Sequence, residues 1–211
     1  MIEQYLQPAP NLVEGVPAIV ERDNEVLQAR TEILDLLPAN LASPEVLDIG
    51  PAMGWEMIQI QRRYKAVVQV VTLFEQEATR LRALSGSPVH VGDLHNLPET
   101  WADRFGGVVA SHVIEHSPAP YIALREMHRV LCPGGWVFLV SPEPAGAVGI
   151  GNPERFCRSD MMADHIYLPG IGDLIALMRR AGLRFDRYLE VAQYTLGRLA
   201  YWHRVWIGTK P

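Results

Sequence analysis

Hydrophobic and polar residues follow two patterns that alternate along this chain. Apolar residues recur at helical spacing from position 26 to position 37, and Pro38 ends this first helix. After it, short apolar runs predict strands at Glu45–Ile49, Val67–Phe74, Val89–Val91, Gly107–His112 and Trp136–Val140. The amphipathic segments between them predict helices at Trp55–Tyr64, Glu77–Leu84 and Tyr121–Leu131.

The alternation of strands and helices predicts an α/β fold in which a parallel sheet carries helices on both faces. The last part of the chain differs, because a helix at Asp173–Ala181 is followed by two strands, Arg184–Val191 and Ala200–Thr209. We expect these two strands to form an antiparallel hairpin. The stretch Ser141–Pro153 is rich in proline and glycine and predicts a loop past the end of a strand, where α/β folds bind ligands.

Length and composition are those of one globular domain, with 211 residues of which 48% are hydrophobic and 20% charged. We expect an N-terminal arm and helix over residues 1–44 and one domain over residues 45–211. The net charge of −5 disfavours a nucleic-acid partner, since such domains usually carry a basic excess. Two cysteines without CxxC spacing, no signal peptide and no membrane-spanning apolar run predict a soluble, cytoplasmic protein.

The turn after the first predicted strand is the first candidate for ligand binding. Asp48, Gly50 and Gly54 form a D-x-G-x-x-x-G pattern in which small residues let a ligand approach the backbone at the start of a helix. A nicotinamide dinucleotide site needs G-x-G-x-x-G, and here Ala52 and Trp55 occupy the second and third glycine positions. An ordinary strand–helix turn remains an alternative.

Two further acids follow the next two predicted strands. Glu75 can accept hydrogen bonds from both hydroxyls of a ribose, and Asp93 can accept one from the exocyclic amine of an adenine. Either acid alone is more often a helix cap or a solvated charge. Together with Asp48 they form a line of three acids along the carboxyl edge of the predicted sheet, which favours a nucleoside-containing ligand.

Four segments carry a resemblance to a known family. They are Val46–Gly54, Val71–Glu75, Val89–Leu94 and Phe105–Pro144, the last with an S-H-x-x-E-H turn at Ser111–His116 and the run R-V-L-C-P-G-G at Arg129–Gly135. With them the chain resembles the class I S-adenosylmethionine-dependent methyltransferases, especially those acting on small molecules. The resemblance implies a Rossmann-like three-layer sandwich whose seven-stranded, mostly parallel sheet has an antiparallel last strand.

The resemblance also implies how S-adenosylmethionine is bound. Asp48 and the glycine loop, with Gly50, Ala52 and Gly54, would surround its methionine part. Glu75 would hold the ribose, Asp93 and Leu94 would frame the adenine, and Ser111 and His112 would lie near the sulfonium. The chain departs from the family at two places. Ala52 stands where the loop usually has a glycine, which costs about 1–2 kcal/mol if its φ is positive, and Phe105-Gly106 replaces the usual Phe-Asp.

The candidate general bases are His112 and His116, because histidine titrates near neutral pH and both follow the fourth predicted strand. His165 is a third, weaker candidate. A structural role for each remains an alternative. The spacing His112-x-x-Glu115-His116 is similar to the metal-binding E-x-x-E-H pattern of some O-methyltransferases, but the first position is not glutamate, and we expect no metal.

The sequence therefore predicts a methyltransferase that uses S-adenosylmethionine to methylate an oxygen, nitrogen or carbon atom of a small-molecule acceptor. Two alternatives remain. A catalytically inactive module with this fold is favoured by Ala52 and predicts weak cofactor binding. A nicotinamide-dependent oxidoreductase is less consistent with Trp55 and with the antiparallel tail.

Overall fold

The structure is a computed structural model that describes residues 24–143, 166, 169–195 and 198–211. The expected arm over residues 1–20, His165 and most of the expected loop at 141–153 lie outside the described residues. Within the described part of the chain, no helix is long and apolar enough to cross a membrane.

Helices and strands alternate as the sequence predicts. The strands are β1 Glu45–Ile49, β2 Val67–Thr72, β3 Val89–Val91, β4 Phe105–Ser111, β5 Leu131–Pro142, β6 Arg184–Thr195 and β7 Arg198–Thr209. The helices are α1 Asn24–Asp35, α2 Trp55–Tyr64, α3 Glu75–Ser85, α4 Pro120–Val130 and α5 Ile171–Arg180. Two short 3₁₀ helices, Glu99–Trp101 and Ile114–His116, follow β3 and β4.

The strands form one seven-stranded sheet in the order β3-β2-β1-β4-β5-β7-β6. Strands β1 to β5 are parallel, whereas β7 runs antiparallel to both of its neighbours. This confirms the Rossmann-like α/β class, the antiparallel last strand and the terminal hairpin. Since β1 lies between β2 and β4, the residues that follow these three strands meet at one edge of the sheet.

Several predicted boundaries shift by a few residues. β2 stops at Thr72, which pairs with Val91 at the end of β3, and helix α3 begins earlier than expected, at Glu75. β5 is longer than predicted at both ends. It starts at Leu131 because this residue pairs with Phe105, and it continues to Pro142, so the first two residues of the expected loop belong to the strand.

The two faces of the sheet carry separate hydrophobic layers. In β1, Val46 points to the layer that contains α1 and α2, whereas Leu47 and Ile49 point to the layer that contains α4 and α5. Helix α1 packs into the first layer through the buried residues Ala29, Ile33 and Leu34, and Leu37 just after the helix is buried in the same layer. The first helix is thus part of the core, and the expected boundary at residue 44 stays a prediction.

The Phe105-Gly106 departure has a packing reason. A Cβ at Gly106 would lie 2.3 Å from the backbone oxygen of Ser43 and 2.5 Å from its nitrogen. The chain segment before β1 therefore runs against the start of β4 so closely that a side chain at this position would clash with backbone.

Candidate functional site

The turn between β1 and α2 adopts a left-handed backbone at three alternate positions. The φ angles are +63° at Gly50, +45° at Ala52 and +82° at Gly54. Ala52 thus adopts the conformation that favours glycine, which costs an alanine about 1–2 kcal/mol. The guanidinium of Arg80 in α3 donates a hydrogen bond to the Ala52 carbonyl and lies 2.8 Å from the Met53 sulfur, so that it holds the strained turn in place.

Asp48 lies one residue before the end of β1, between Val70 of β2 and Val109 of β4. Its side chain is buried, and its Oδ2 atom has no hydrogen-bond partner. Burial raises the pKa of Asp48 well above its usual value, and the nearby Glu56 carboxylate raises it further. An unpaired carboxylate oxygen at this depth is costly, so the site favours a ligand that brings a hydrogen-bond donor or a positive charge.

Asp48 faces a cavity of about 270 Å³ beneath helix α1. The cavity brings together five of the predicted site residues, which are Asp48, Gly50, Ala52, Ser111 and His112. Arg30 of α1, Glu56 of α2 and Gln193 of β6 add to its polar lining. A second cavity of about 340 Å³ lies beside α1 and α2 around Trp55 and contains none of the predicted site residues.

Glu75 does not line this cavity. It is the first residue of α3 and is largely exposed, and its Oε1 accepts a hydrogen bond of 2.8 Å from Arg82 of the same helix. Exposed ion pairs of this kind contribute only about 0.2–1 kcal/mol, so a ligand can replace Arg82 as the partner of the Glu75 carboxylate.

Asp93 is also bound by a neighbour instead of facing the cavity. Its Oδ1 accepts a 2.9 Å hydrogen bond from the backbone N–H of His95 and lies 2.5 Å from Nδ1 of the His95 ring. The backbone N–H of His95 lowers the pKa of Asp93. The other ring nitrogen of His95, Nε2, lies 2.7 Å from Oγ of Ser117. This contact links the segment after β3 to the loop after β4. Leu94 packs against the core.

His112 follows β4 with a φ of +55°. Its Nδ1 lies 3.2 Å from Oε1 of Glu115 and its Nε2 lies 2.9 Å from Nδ1 of His203. Both ring nitrogens are therefore engaged within the protein. His116 ends the 3₁₀ helix, is exposed and does not line the cavity. Among the described residues, no group of three or more His, Cys, Asp or Glu side chains is arranged to hold a metal ion.

Gln193 and His203 are not among the site residues predicted from the sequence. Both are buried on the face of the hairpin that also carries Val191 and Val205. The sequence does contain a signal for His203, because this residue interrupts the apolar positions that alternate along one face of a strand. A buried polar residue in such a pattern needs a hydrogen-bond partner. The partner is not evident from the sequence, since the contact to His112 depends on how β7 inserts beside β5.

Comparison with known proteins agrees with this geometry. Residues 21–187 match the methyltransferase domain family. The chain belongs to this family. The predicted methyltransferase family is thereby confirmed, and membership in it does not support the nicotinamide-dependent alternative. Trp55 is buried in the core at the point where a dinucleotide turn would need its third glycine.

Two relatives illustrate the chemistry of the family. The chain is 32% identical over 117 residues to the chloroplastic 2-methyl-6-phytyl-1,4-hydroquinone methyltransferase of Arabidopsis thaliana, covering 51% of this chain and 33% of that enzyme. It is 28% identical over 182 residues to the 27-O-demethylrifamycin SV methyltransferase of Amycolatopsis mediterranei, covering 80% of this chain and 65% of that enzyme. The chain thus spans between a third and two thirds of these relatives.

Solved structures share the fold. A methyltransferase in complex with the Haloferax volcanii Trm112 methyltransferase activator superposes with a TM-score of 0.73 at 15% identity, covering 92% of both chains. At this identity the likeness supports the fold and carries nothing about partners.

Proposed function

We propose that this chain transfers a methyl group from S-adenosylmethionine to a small-molecule acceptor. The observation that carries the proposal is Asp48 Oδ2, a buried carboxylate oxygen without a partner in a cavity built by the turn of the methyltransferase domain. An ammonium group satisfies such an oxygen, and the methionine part of S-adenosylmethionine carries one. The two relatives named above act on a phytyl hydroquinone and on a rifamycin, which supports a small organic acceptor.

Asp48, Gly50, Ala52, Gly54 and Ser111 would hold the methionine part of the cofactor. A Cβ at Gly50 would lie 2.9 Å from the side chain of Val113, so the turn has no room for a larger residue here. Glu75 would bind the ribose after release from Arg82, and Asp93 with Leu94 would frame the adenine. When bound, S-adenosylmethionine supplies a methyl group on a sulfonium. After the transfer, the sulfur is left as a neutral thioether.

The protein's own contribution is then to orient the acceptor and to receive its proton. Orientation of a nucleophile in line with its target contributes several kcal/mol. An oxygen or nitrogen acceptor loses a proton on methylation, and a base within hydrogen-bond reach accelerates the step. His112 is the candidate base that lines the cavity, whereas His116 would act only on an acceptor that reaches the exposed end of the 3₁₀ helix. A cytoplasmic location stays a prediction.

The proposal is tested by incubating the protein with S-adenosylmethionine labelled in its methyl group and a panel of phenols, hydroquinones and hydroxylated polyketides. We expect label in at least one acceptor, with stoichiometric release of S-adenosylhomocysteine. Asp48→Asn serves as the control that keeps the shape of the site and removes its charge. Binding of the cofactor without label in any acceptor class would favour the catalytically inactive module.

A further inference from the structure

Four side chains form a continuous hydrogen-bonded network at the floor of the cavity. Glu115 of the 3₁₀ helix contacts His112, His112 contacts His203 of β7, and Nε2 of His203 lies 2.9 Å from Oε1 of Gln193 in β6. The two imidazole rings meet edge to face, with centroids 5.0 Å apart. The network joins the loop after β4 to the terminal hairpin, and it is exposed to the cavity through His112 and Gln193.

The backbone of His112 shows that this arrangement is imposed on the residue. A non-glycine residue adopts a φ of +55° at a cost, and such residues persist where the surrounding structure fixes them. The contacts of both ring nitrogens supply that fixation. His112 thus faces the cavity in one defined orientation, as a group that acts on a ligand requires.

His203 remains neutral in the folded protein. Burial lowers the pKa of His203 to about 3, and the positive charges of a protonated His112 and of Arg30 lower it further. A neutral imidazole has one donor nitrogen and one acceptor nitrogen. The proton of His203 is therefore either on Nε2, facing Gln193, or on Nδ1, facing His112.

The amide of Gln193 selects between these two tautomers. Oriented as in the structure, its Oε1 accepts from His203 Nε2–H, so that Nδ1 of His203 must accept from His112 Nε2–H. The contact between His112 Nδ1 and Glu115 then needs a further proton. If the amide turns over, its NH₂ donates to His203 Nε2, Nδ1–H of His203 donates to His112, and His112 Nδ1–H donates to the Glu115 carboxylate. The second arrangement holds one proton fewer than the first.

We propose that His203 and Gln193 are positioning residues that fix the orientation of His112 and couple its proton content to the direction of the Gln193 amide. In the proton-poor arrangement Nε2 of His112 carries no proton and accepts from Nδ1–H of His203, so it can take a proton from the acceptor only when this contact opens. The inference rests on the proposed function for its use in catalysis, but the coupling itself is a property of the free protein.

Among the described residues, the other charged groups that line the cavity with His112 belong to three elements. Arg30 of α1, Asp48 of β1 and Glu56 of α2 line the same cavity, and Arg30 and Glu56 form an ion pair of 3.6 Å that reduces the field of either one at His112. None of the three is hydrogen-bonded to the network in the described part of the chain. The hydrogen-bond contacts of the His112 ring are thus those to Glu115 and His203.

The test is long-range ¹H–¹⁵N NMR of the imidazole nitrogens in ¹⁵N-histidine-labelled protein between about pH 5 and pH 9, where histidine titrates. The chain has only seven histidines, and His112→Asn and His203→Asn assign the two signals. We expect His203 to stay neutral and to exchange its Nε2–H form for its Nδ1–H form as His112 loses a proton. Gln193→Met keeps the volume of the side chain and is expected to shift the His112 midpoint by at least about 0.5 pH unit.

Gln69→Met is the matched control, because Gln69 is a buried amide in β2 that bonds the backbone oxygen of Pro88 and lies outside the network. Gln69→Met should leave the titration midpoint of His112 unchanged. With an acceptor in hand, Gln193→Met should shift the acid limb of kcat/KM in the same direction. A single His203 tautomer throughout, a His112 that does not titrate, or equal midpoints in wild type and Gln193→Met would each overturn the proposal. Absent cofactor binding would contradict the proposed function and leave this NMR result standing.

Discussion

Nε2 of His112 lies 2.9 Å from Nδ1 of His203, although the two residues are 91 positions apart in the chain. The contact exists because β7 inserts antiparallel between β5 and β6, which brings the inward face of the hairpin beside the end of β4. The last strand of this fold therefore contributes to the site as well as to the sheet. We therefore expect His203 of the last strand to affect how the stability of the protein depends on pH.

Stability is expected to fall in mild acid because of His203. Its pKa is lowered to about 3 in the folded protein, against about 6.5 when unfolded, so the unfolded state binds the extra proton first. The contribution of neutral His203 to the free energy of unfolding is present above pH 6.5. It is lost as the pH falls below 6.5, and the loss amounts to about 2 kcal/mol at pH 5. Urea unfolding at pH 7 and pH 5 measures the difference, and His203→Gln should reduce it by most of this amount. Identical pH dependence in both proteins would exclude His203 as the cause.

Ala52→Gly should stabilise the protein. Glycine adopts the φ of +45° without the penalty that alanine incurs, and the gain is partly offset by the greater freedom of glycine in the unfolded chain. We expect an increase of about 0.5–1 kcal/mol in the free energy of unfolding at neutral pH. The same substitution at Ala83, an exposed position inside α3, should instead destabilise by about 1 kcal/mol. A loss of stability in both variants would show that the turn at Ala52 is not strained.

The sequence predicted the elements of this fold well, since β1, α2 and β3 have the predicted bounds. These segments have local signals, namely apolar runs between a turn and an amphipathic helix. The extent of β5 was missed because pairing to Phe105 and to β7, not local propensity, determines where it begins and ends.

The candidate site was predicted in part. Asp48, Gly50, Ala52, Ser111 and His112 meet in one cavity because they lie at the ends of adjacent parallel strands. The sequence does not indicate that Arg82 and His95 bind the carboxylates of Glu75 and Asp93, because exposed side-chain pairs depend on rotamers. The left-handed φ at Ala52 was likewise beyond prediction, because the sequence there is compatible with either sign.

Cofactor affinity should rise with pH through the titration of Asp48. Its pKa is raised by burial and by Glu56, whereas an ammonium ligand requires the ionised carboxylate, so binding releases a proton. Calorimetry in two buffers of different ionisation enthalpy measures that proton. Asp48→Asn should abolish the proton release and weaken binding by about tenfold or more. Asp35→Asn, at the exposed end of α1, is the control and should change neither quantity. Proton release that persists in Asp48→Asn would assign it to another group.

Glu75 and Arg82 provide a pair of variants with opposite expectations. Glu75→Ala should weaken S-adenosylmethionine binding about tenfold, because the ribose hydroxyls lose their acceptor. Arg82→Ala releases Glu75 from its 2.8 Å ion pair and should leave affinity within about threefold of wild type or tighten it. Equal weakening by both variants would mean that the ion pair matters to the site and that Glu75 is not free to bind a ribose.

The proposed function requires that this turn and its buried carboxylate bind S-adenosylmethionine. Calorimetric titration of the unmodified protein with S-adenosylmethionine, S-adenosylhomocysteine and a nicotinamide dinucleotide measures this binding. We expect dissociation constants on the order of micromolar for the first two ligands and no binding of the third. Absence of heat for S-adenosylmethionine at millimolar concentration would contradict it and would indicate a domain that kept the fold without its cofactor.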